Sequence, residues 1–394
     1  MSSVVPESDE LKRQNIVAFV IEELSLGGAE HMLMFMANEF CERGWQVHII
    51  CLRSAGELSS RLDESVQLHV LDKKPGIDLG LPLRLIRCVD KIQPDVINSH
   101  LWVANAWTRL SLLTRKIPIV VTEHSRDTWK SSFYRWVDRR LAARTFRLVT
   151  VSADSAEFYQ NDVGIDQSLI SVITNGVDTN QYAIGNGAAL RREWMSLSER
   201  DEGESRVPML IGTIGRLVKA KNQKRLIDAV SRLINDESLS KRFDIYLKII
   251  GEGSERSALQ LYIEELGMDD KITLGGERHD VPDVLAAFDV FVLSSDREGY
   301  PLTSLEAQAA GTPVILTDAG GAGESIACQG EQVGGLLVSP DTHELSKAIE
   351  TLVQDENLRA QLGAFAQPYA LEHFDKRRMI DLYEEVFLKS RLSG

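Results

Sequence analysis

Short apolar runs alternate with helical patterns along this chain, in two separate series. The first series has apolar runs at 15–24, 46–52, 95–97, 119–122 and 148–151. The second series has apolar runs at 209–214, 245–250, 271–274, 290–293 and 313–316. Alternation of this kind predicts parallel sheets covered by helices on both faces. The predicted fold class is therefore α/β, with two doubly wound Rossmann-like domains.

The alternation stops between about 178 and 208, where a glycine-rich and then charged stretch contains few apolar residues. We predict an N-terminal domain over 1–180, a linker region over 181–207 and a C-terminal domain over 208–372. The amphipathic pattern from Arg377 to Leu388 predicts a terminal helix, within 373–391, that packs back on the first domain. A length of 394 residues fits two such domains.

Composition narrows the classes of function. A net charge of −14 argues against a general nucleic-acid binder. No stretch has the roughly 18 continuous apolar residues of a membrane span, and the polar, acidic start MSSVVPESDELKRQ does not resemble a signal peptide. The four cysteines lack metal-ligand spacing and are interpreted as reduced thiols, so we predict a cytoplasmic protein.

Two glutamates bracket a turn near the C-terminal third, in Glu298-Gly299-Tyr300-Pro301-Leu302-Thr303-Ser304-Leu305-Glu306. The turn follows the apolar run 290–293 and precedes a helical pattern that starts at about Leu305. Open α/β sheets bind ligands where a strand ends and a helix begins, because unpaired N–H groups there favour an anion such as a diphosphate. The two carboxylates can accept hydrogen bonds from sugar and ribose hydroxyls.

Two further loops carry cationic side chains after predicted strands. Arg216 and Lys221 follow the strand that ends at Gly215. Arg216 could bind a diphosphate with two parallel hydrogen bonds, and Lys221 could bind it as a single positive charge. Arg278 lies in the loop Gly275-Gly276-Glu277-Arg278-His279-Asp280, where a nucleobase could meet backbone groups and the guanidinium. For either loop alone, a solvated basic loop or a simple turn remains an open interpretation.

A nicotinamide-binding dehydrogenase is a competing interpretation of an α/β chain. It requires G-x-G-x-x-G directly after a strand and an acidic residue about 20 positions later. The glycines at 27–28, 212–215 and 251–253 do not have that spacing. We therefore do not expect a dehydrogenase.

The ordered set of motifs resembles glycosyltransferase family 4, the retaining glycosyltransferases with the GT-B fold. The resemblance covers nearly the whole chain, and its elements are Gly27-Gly28-Ala29-Glu30, Ser99-His100, Thr122-Glu123-His124, Val151-Ser152, Asn175-Gly176-Val177-Asp178, Gly215-Arg216, Lys221-Asn222, Gly251-Glu252-Gly253 and the Glu298–Glu306 stretch. It implies two Rossmann-like domains that face a central cleft. It also implies a nucleotide-sugar donor, with a UDP-sugar favoured, and a saccharide or lipid-linked acceptor.

The resemblance also implies roles for single residues. Gly27 and Gly28 match a glycine loop facing the donor diphosphate, and Arg216 and Lys221 match the diphosphate-binding pair. Glu306 matches the glutamate that holds the ribose, Glu298 the one that contacts the transferred sugar, and His124 a histidine near the reaction centre. The implied catalytic set is His124, Glu298, Arg216 and Lys221. The implied donor-binding set adds Gly27, Gly28, Arg278, Gly299, Tyr300, Pro301, Leu302, Thr303 and Glu306.

Several expectations about chemistry follow from the resemblance. The resemblance implies that the departing diphosphate helps to deprotonate the acceptor on the same face of the sugar. It also implies that no metal and no cofactor is needed, because enzymes with the GT-B fold generally need none. Tyr300-Pro301 departs from the small or aliphatic residues common in the family, and proline removes one N–H donor. His100 and Asn105 are weaker candidates for the acceptor side.

A basic, aromatic stretch from Trp129 to Arg144 contrasts with the acidic chain. Such a stretch could form a helix on an anionic membrane surface, or its aromatic side chains could pack in the core. Other functions also remain open, namely a GT-B epimerase or phosphorylase and a non-catalytic nucleotide-sugar-binding protein. A pure binding protein should not release free nucleotide from a nucleotide-sugar.

Overall fold

The computed structural model describes residues 14–195 and 206–392. The predicted linker over 181–207 lies partly outside the described residues. Its described part contains a short helix, α7 (Ala188–Trp194), within the charged stretch of that region.

The first sheet has seven strands in the order β3-β2-β1-β4-β5-β6-β7. The strands are β1 Ile16–Ile21, β2 Gln46–Cys51, β3 Gln67–Val70, β4 Val96–His100, β5 Ile119–Glu123, β6 Arg147–Thr150 and β7 Ile170–Val172. The strands from β1 to β5 pair in parallel. The central strands β4 and β5 are buried along their whole length, as expected for a parallel sheet with helices on both faces.

The helices of the first half alternate with these strands along the chain or follow them. They are α1 Gly28–Glu42, α2 Leu81–Ile92, α3 Trp102–Ser111, α4 Ser132–Leu141, α5 Ala153–Glu157, α6 Thr179–Ala183 and α7 Ala188–Trp194. The segment Phe158–Val163 continues from α5 as a π-helix.

The second sheet has six strands in the order β10-β9-β8-β11-β12-β15, and all of its neighbouring strands pair in parallel. The strands of the second half are β8 Val207–Ile214, β9 Phe243–Ile250, β10 Ile272–Leu274, β11 Val290–Leu293, β12 Val314–Thr317, β13 Cys328–Gln329, β14 Gln332–Val333 and β15 Gly335–Val338. The pair β13 and β14 forms a separate antiparallel hairpin. Every run of the second predicted series therefore lies inside a strand or coincides with one to within one residue at each end.

The helices of the second half are α8 Gln223–Ile234, α9 Glu237–Ser240, α10 Arg256–Leu266, α11 Val281–Ala287, α12 Leu302–Ala309, α13 Thr342–Gln354, α14 Glu356–His373 and α15 Lys376–Leu392. The helix α12 begins three residues before the predicted start at Leu305. Pro301 explains the difference, because its φ of −70° is already close to the helical value and proline suits the first positions of a helix.

The chain divides into two compact units. The first comprises the chain up to Glu123, Ser132–Val149 and the end from Tyr383, and the second comprises His124–Ser131 and Thr150–Leu382. This division of the chain differs from the predicted boundary at 180, because residues 150–180 group with the second unit. Asn175 contributes to this grouping, because its side-chain amide donates to the carbonyl of Tyr300 at 2.9 Å. The predicted domain bounds stay a prediction.

The C-terminal half of α15 is part of the first unit. Glu384 accepts hydrogen bonds from Arg43 at 2.7 Å and from the indole N–H of Trp45 at 2.9 Å. The ring of Phe387 packs against Phe40, with ring centroids 5.2 Å apart. An amphipathic helix is stabilised by such burial of its apolar face.

Candidate active site

Glu298 and Lys221 form an ion pair in the second unit. The ammonium group of Lys221 lies 2.6 Å from Glu298 Oε1, and the hydroxyl of Ser295 donates to the same oxygen at 2.5 Å. The side chain of Glu298 is 8% exposed. The predicted phosphate-binding cation and the predicted sugar-binding carboxylate are therefore in direct contact.

The loop that carries Lys221 is held to the end of β11. Lys219–Lys221 form a 3₁₀ turn, and Asn222 follows in the left-handed conformation with its side chain capping α8. The hydroxyl of Ser294 donates to the carbonyls of Lys221 and Asn222, at 3.2 Å and 2.9 Å. These contacts fix the backbone of Lys221, so that its charge has a defined position beside the turn.

Arg216 lies at the end of β8 with an exposed side chain. Its carbonyl accepts a hydrogen bond from the Gln223 amide at 2.9 Å, which fixes the backbone but leaves the guanidinium at the surface. An exposed guanidinium can bind a phosphate in a bidentate manner. Its predicted role in donor binding stays a prediction.

Gly299 occupies a position that has no room for a side chain. A Cβ on Gly299 would lie 1.8 Å from the carbonyl oxygen of His124, and a Cβ on Gly321 would lie 1.9 Å from the carbonyl oxygen of Gly299. The backbone after Glu298 therefore packs directly between two other backbone segments. This packing sets the path of the turn that leads into α12.

The N-terminus of α12 has no side-chain cap. Pro301 is its N-cap residue, and the helix begins with Leu302 and Thr303. The first N–H groups of a helix lack intrahelical partners, and with the helix dipole they favour an anion. The chemistry of this terminus suits a phosphate or a sugar oxygen.

Glu306 lies one helical turn further along α12. The hydroxyl of Tyr182 donates to Glu306 Oε1 at 2.9 Å. Although the residue as a whole is only half-buried, its carboxylate is surrounded by protein. Burial raises the pKa of Glu306 to about 7, and the hydrogen bond from Tyr182 opposes that rise.

His124 follows β5 and groups with the second unit. Burial lowers the pKa of His124 to about 4, so its imidazole is neutral at pH 7. A neutral imidazole can donate one hydrogen bond and accept another. Its carbonyl contact with Gly299 brings His124 next to the turn between the two glutamates.

Arg278 makes contacts within its own loop. Its guanidinium donates to both oxygens of Asp280, at 2.8 Å and 2.5 Å, and lies 5.5 Å from the ring centre of Trp194. The carboxylate of Asp280 raises the pKa of Arg278. The predicted contact of Arg278 with a nucleobase stays a prediction.

Gly27 and Gly28 belong to the first unit, where they begin α1. Gly27 is the N-cap residue with an extended backbone, and no side chain caps the helix. A Cβ on Gly27 would lie 2.2 Å from Glu30 Oε2, so a larger residue there would require the flexible Glu30 side chain to move. The predicted contact of this loop with a diphosphate stays a prediction.

His100 and Asn105 are completely buried in the first unit. His100 Nε2 lies 2.8 Å from Asn98 Oδ1, and the Asn105 amide donates to the carbonyl of Thr122 at 3.1 Å. Buried polar groups with such partners are typical of a structural network. The predicted place of both residues on the acceptor side stays a prediction.

The basic, aromatic stretch Trp129–Arg144 is helical only in part, over α4 and a following 3₁₀ turn. Lys130 is buried and contacts Asp127 at 2.9 Å, and Asp138 is buried against Arg109 at 2.8 Å. The prediction that Trp129 shares the helix is wrong, because this Asp127–Lys130 pair holds a turn before α4. Phe133 and Trp136 on α4 are 64% and 46% exposed.

Two residues that the sequence analysis did not single out support the site, Tyr182 and Ser295, whose partners are Glu306 and Glu298. Asn175, which belongs to one of the motifs of the resemblance but was given no role, contacts the Tyr300 carbonyl. Tyr182 and Asn175 are more than 120 residues from their partners in sequence, so local patterns give no signal for them. Ser295 could have been found, since it follows a predicted strand and precedes Glu298 by three residues.

Two family descriptions match adjacent parts of the chain. "Glycosyl transferases group 1" matches residues 198–368 and "Glycosyltransferase Family 4" matches residues 26–181. The UDP-Gal:alpha-D-GlcNAc-diphosphoundecaprenol alpha-1,3-galactosyltransferase of Escherichia coli is 27% identical over 328 residues, which are 80% of this chain and 81% of the relative. The D-inositol 3-phosphate glycosyltransferase of Corynebacterium glutamicum is 28% identical and covers 87% of each chain.

Solved structures show the same fold. Anabaena HepE in complex with UDP superimposes with a TM-score of 0.79 at 22% identity, over 95% of this chain and 100% of that chain. WaaG, a glycosyltransferase involved in lipopolysaccharide biosynthesis, has a TM-score of 0.72 at 18% identity, over 94% and 99%. The sequence and structural matches together show that this chain belongs to glycosyltransferase family 4, with the GT-B fold.

Proposed function

We propose that this glycosyltransferase moves a sugar from a UDP-sugar to an acceptor hydroxyl with retention of anomeric configuration. The observation that carries the proposal is the contact between Lys221 and Glu298 beside the uncapped N-terminus of α12. A cation, free N–H groups and a carboxylate are the groups that a sugar diphosphate requires. The E. coli relative is named for a UDP-sugar donor, which supports the choice of nucleotide.

The proposed reaction breaks the bond between the anomeric carbon and the diphosphate oxygen. Lys221, Arg216 and the N–H groups of Leu302 and Thr303 stabilise the negative charge that develops on the diphosphate. A diphosphate oxygen accepts the proton of the acceptor hydroxyl on the face from which the diphosphate leaves. The hydroxyl oxygen then bonds to the same face of the anomeric carbon, so that configuration is retained.

The remaining residues bind and orient the donor in this proposal. Glu298 accepts hydrogen bonds from the transferred sugar and Glu306 accepts them from the ribose. His124, neutral at pH 7, donates one hydrogen bond to the sugar. The cationic side chains supply the charge stabilisation, so the proposal requires no bound metal or cofactor. Gly27, Gly28 and Arg278 are further proposed donor contacts.

We propose a lipid-linked saccharide as the acceptor and the inner face of the membrane as the place of reaction. Two relatives are named for diphosphoundecaprenol-linked acceptors, one from E. coli and one from Campylobacter jejuni. Among the described residues, no helix is both long and apolar enough to cross a membrane. The exposed Phe133 and Trp136 beside Arg139 and Arg140 suit reversible attachment to anionic lipid instead.

The experiment is transfer from UDP-galactose, UDP-glucose or UDP-N-acetylglucosamine to a diphosphoundecaprenol-linked saccharide. Proton NMR of the new linkage gives its anomeric configuration. We expect an α-linked product, because these donors carry α-linked sugars. A β-linked product would contradict retention, and transfer only to water-soluble acceptors would contradict the proposed acceptor class.

A further inference from the structure

The segment 175–182 contacts the Glu298–Glu306 stretch at two points. The amide of Asn175 donates to the carbonyl of Tyr300 at 2.9 Å, and the hydroxyl of Tyr182 donates to Glu306 Oε1 at 2.9 Å. The segment therefore spans from the turn to the second glutamate. Both contacts lie within the second unit.

Main-chain hydrogen bonds hold this segment between the two contacts. Val177 donates to the carbonyl of Phe374 and accepts from the N–H of Lys376, both at 2.9 Å. Asp178 caps α6 and pairs with the Lys376 ammonium at 3.2 Å. The helix that carries Tyr182 is thus fixed at its start.

We propose that Tyr182 is a positioning residue, whose hydroxyl orients Glu306 for the donor ribose and makes nucleotide affinity depend on pH near neutrality. The inference rests on the proposed function, in which Glu306 accepts hydrogen bonds from ribose hydroxyls. Among the described residues, Tyr182 supplies the side-chain hydrogen bond to Glu306. A carboxylate held at one oxygen presents its remaining lone pairs in a fixed direction.

The phenol also affects the charge of Glu306. Burial raises the pKa of Glu306 to about 7, and the Tyr182 hydrogen bond lowers it from a still higher value. The ionised carboxylate accepts hydrogen bonds at both oxygens, whereas the protonated acid must donate one. Donor affinity should therefore rise as pH increases through 7.

Other titratable groups lie on the elements packed against α12 and α6. They are Asp178, Asp283, Glu356, Arg359, Tyr369, Glu372 and His373. Burial and the Tyr182 hydroxyl, rather than these groups, cause the shift in the pKa of Glu306. The titration near pH 7 is therefore assigned to Glu306.

The test is calorimetric titration with UDP-glucose, and with GDP-mannose as a second probe, between pH 6.0 and 8.5. Nucleotide-sugars are used because a terminal phosphate has its own pKa near 6 and would obscure the result. Wild-type affinity should fall about tenfold when the pH is lowered from 8.5 to 6.0, because a carboxyl group with a pKa near 7 is only about one-tenth ionised at pH 6.0. Tyr182→Phe should weaken binding at pH 7 by about three- to tenfold, the range for one lost hydrogen bond, and move the midpoint to higher pH.

Two controls separate the inference from the proposed function. Tyr262→Phe removes another phenol–carboxylate hydrogen bond, to Asp228 at 2.5 Å on a different pair of helices, and should leave the profile unchanged. Glu306→Gln should weaken binding and flatten its pH dependence. If Tyr182→Phe has the same pH profile of binding as wild type while Glu306→Gln binds more weakly, only the inference about Tyr182 is overturned. If Glu306→Gln binds as well as wild type, or if neither nucleotide-sugar binds, the assigned role of Glu306 is overturned and this inference with it.

Discussion

The ion pair between Lys221 and Glu298 joins two residues that the proposed reaction uses separately. Each charge is the partner of the other at 2.6 Å. In the proposed reaction, Lys221 contacts the diphosphate and Glu298 accepts hydrogen bonds from the sugar hydroxyls. The pairing keeps the largely buried Glu298 carboxylate beside a positive charge.

Replacement of the cations should reduce catalysis. Lys221→Ala and Arg216→Ala should each lower kcat/KM by about 30- to 1,000-fold, corresponding to ~2–4 kcal/mol of lost charge stabilisation in the transition state. Lys219→Ala is a matched control, since this exposed lysine lies in the same 3₁₀ turn. Initial rates with a UDP-sugar test the prediction. Wild-type rates in both variants, with intact folding, would exclude these residues as the diphosphate clamp.

The two glutamates should affect different parts of the donor. Glu306→Ala should weaken binding of free UDP, because it removes the proposed ribose acceptor. Glu298→Ala should abolish transfer but leave UDP affinity nearly unchanged, since UDP lacks the transferred sugar. Calorimetry at pH 8, where Glu306 is largely ionised, measures both affinities. An equal loss of UDP binding in the two variants would refute this division.

Single residues also mark the limit of what the sequence predicts. Glu298, Glu306 and Lys221 follow predicted strands, so their placement at the carboxyl edge of the second sheet could be predicted from local pattern. Tyr182 and Asn175 could not, because their contacts join segments far apart in sequence. The burial of His100 could not be predicted either, because the sequence around a histidine at a strand end does not show which other segments pack over it.

At the scale of elements, the strand, turn and helix around β11 and α12 depend on close backbone packing. Ten strands of the two sheets were predicted, because buried parallel strands are continuous apolar runs. The edge strands β3, β7 and β15 were not predicted, because they are only partly buried and need not be continuous apolar runs. Element ends were less predictable, as the start of α12 at Leu302 and that of α4 at Ser132 show. Both ends depend on contacts and backbone angles rather than on apolar periodicity.

Gly299→Ala should disrupt this packing. The added Cβ would lie 1.8 Å from the His124 carbonyl oxygen, which is backbone and cannot move aside cheaply. Gly44→Ala is the control, because a Cβ there meets open space and costs only the ~1–2 kcal/mol of its left-handed backbone. We expect Gly299→Ala to lose activity and to lower Tm more than Gly44→Ala. Equal Tm values and full activity would show that the turn tolerates a side chain.

At the scale of the whole molecule, charge is unevenly distributed. The chain has a net charge of −14, yet exposed Arg139 and Arg140 lie beside exposed aromatic side chains on α4. The buried acidic residue of α4, Asp138, is paired with Arg109 and does not offset the surface charge. The local surface therefore has the opposite sign to the chain.

This surface should give salt-sensitive attachment to anionic liposomes. Each basic residue contributes about 1 kcal/mol near such a membrane, and salt screens the attraction beyond a Debye length of about 8–10 Å. Co-sedimentation should decrease at high salt and in a variant with Arg135, Arg139 and Arg140 changed to Ser. Arg87→Ser with Lys91→Ser changes exposed charge on α2 and is the control. Equal binding by the α4 variant, or none by wild type, would exclude this surface.

In the proposed function, the second unit binds a nucleotide-sugar and breaks its bond to the sugar. The most direct measurement is release of free UDP from UDP-glucose, UDP-galactose and UDP-N-acetylglucosamine without acceptor, for wild type and Lys221→Ala. We predict slow release from at least one donor by wild type and at least about 30-fold slower release by the variant. Binding of a donor with no release of UDP, or equal release by both proteins, would contradict the proposed function.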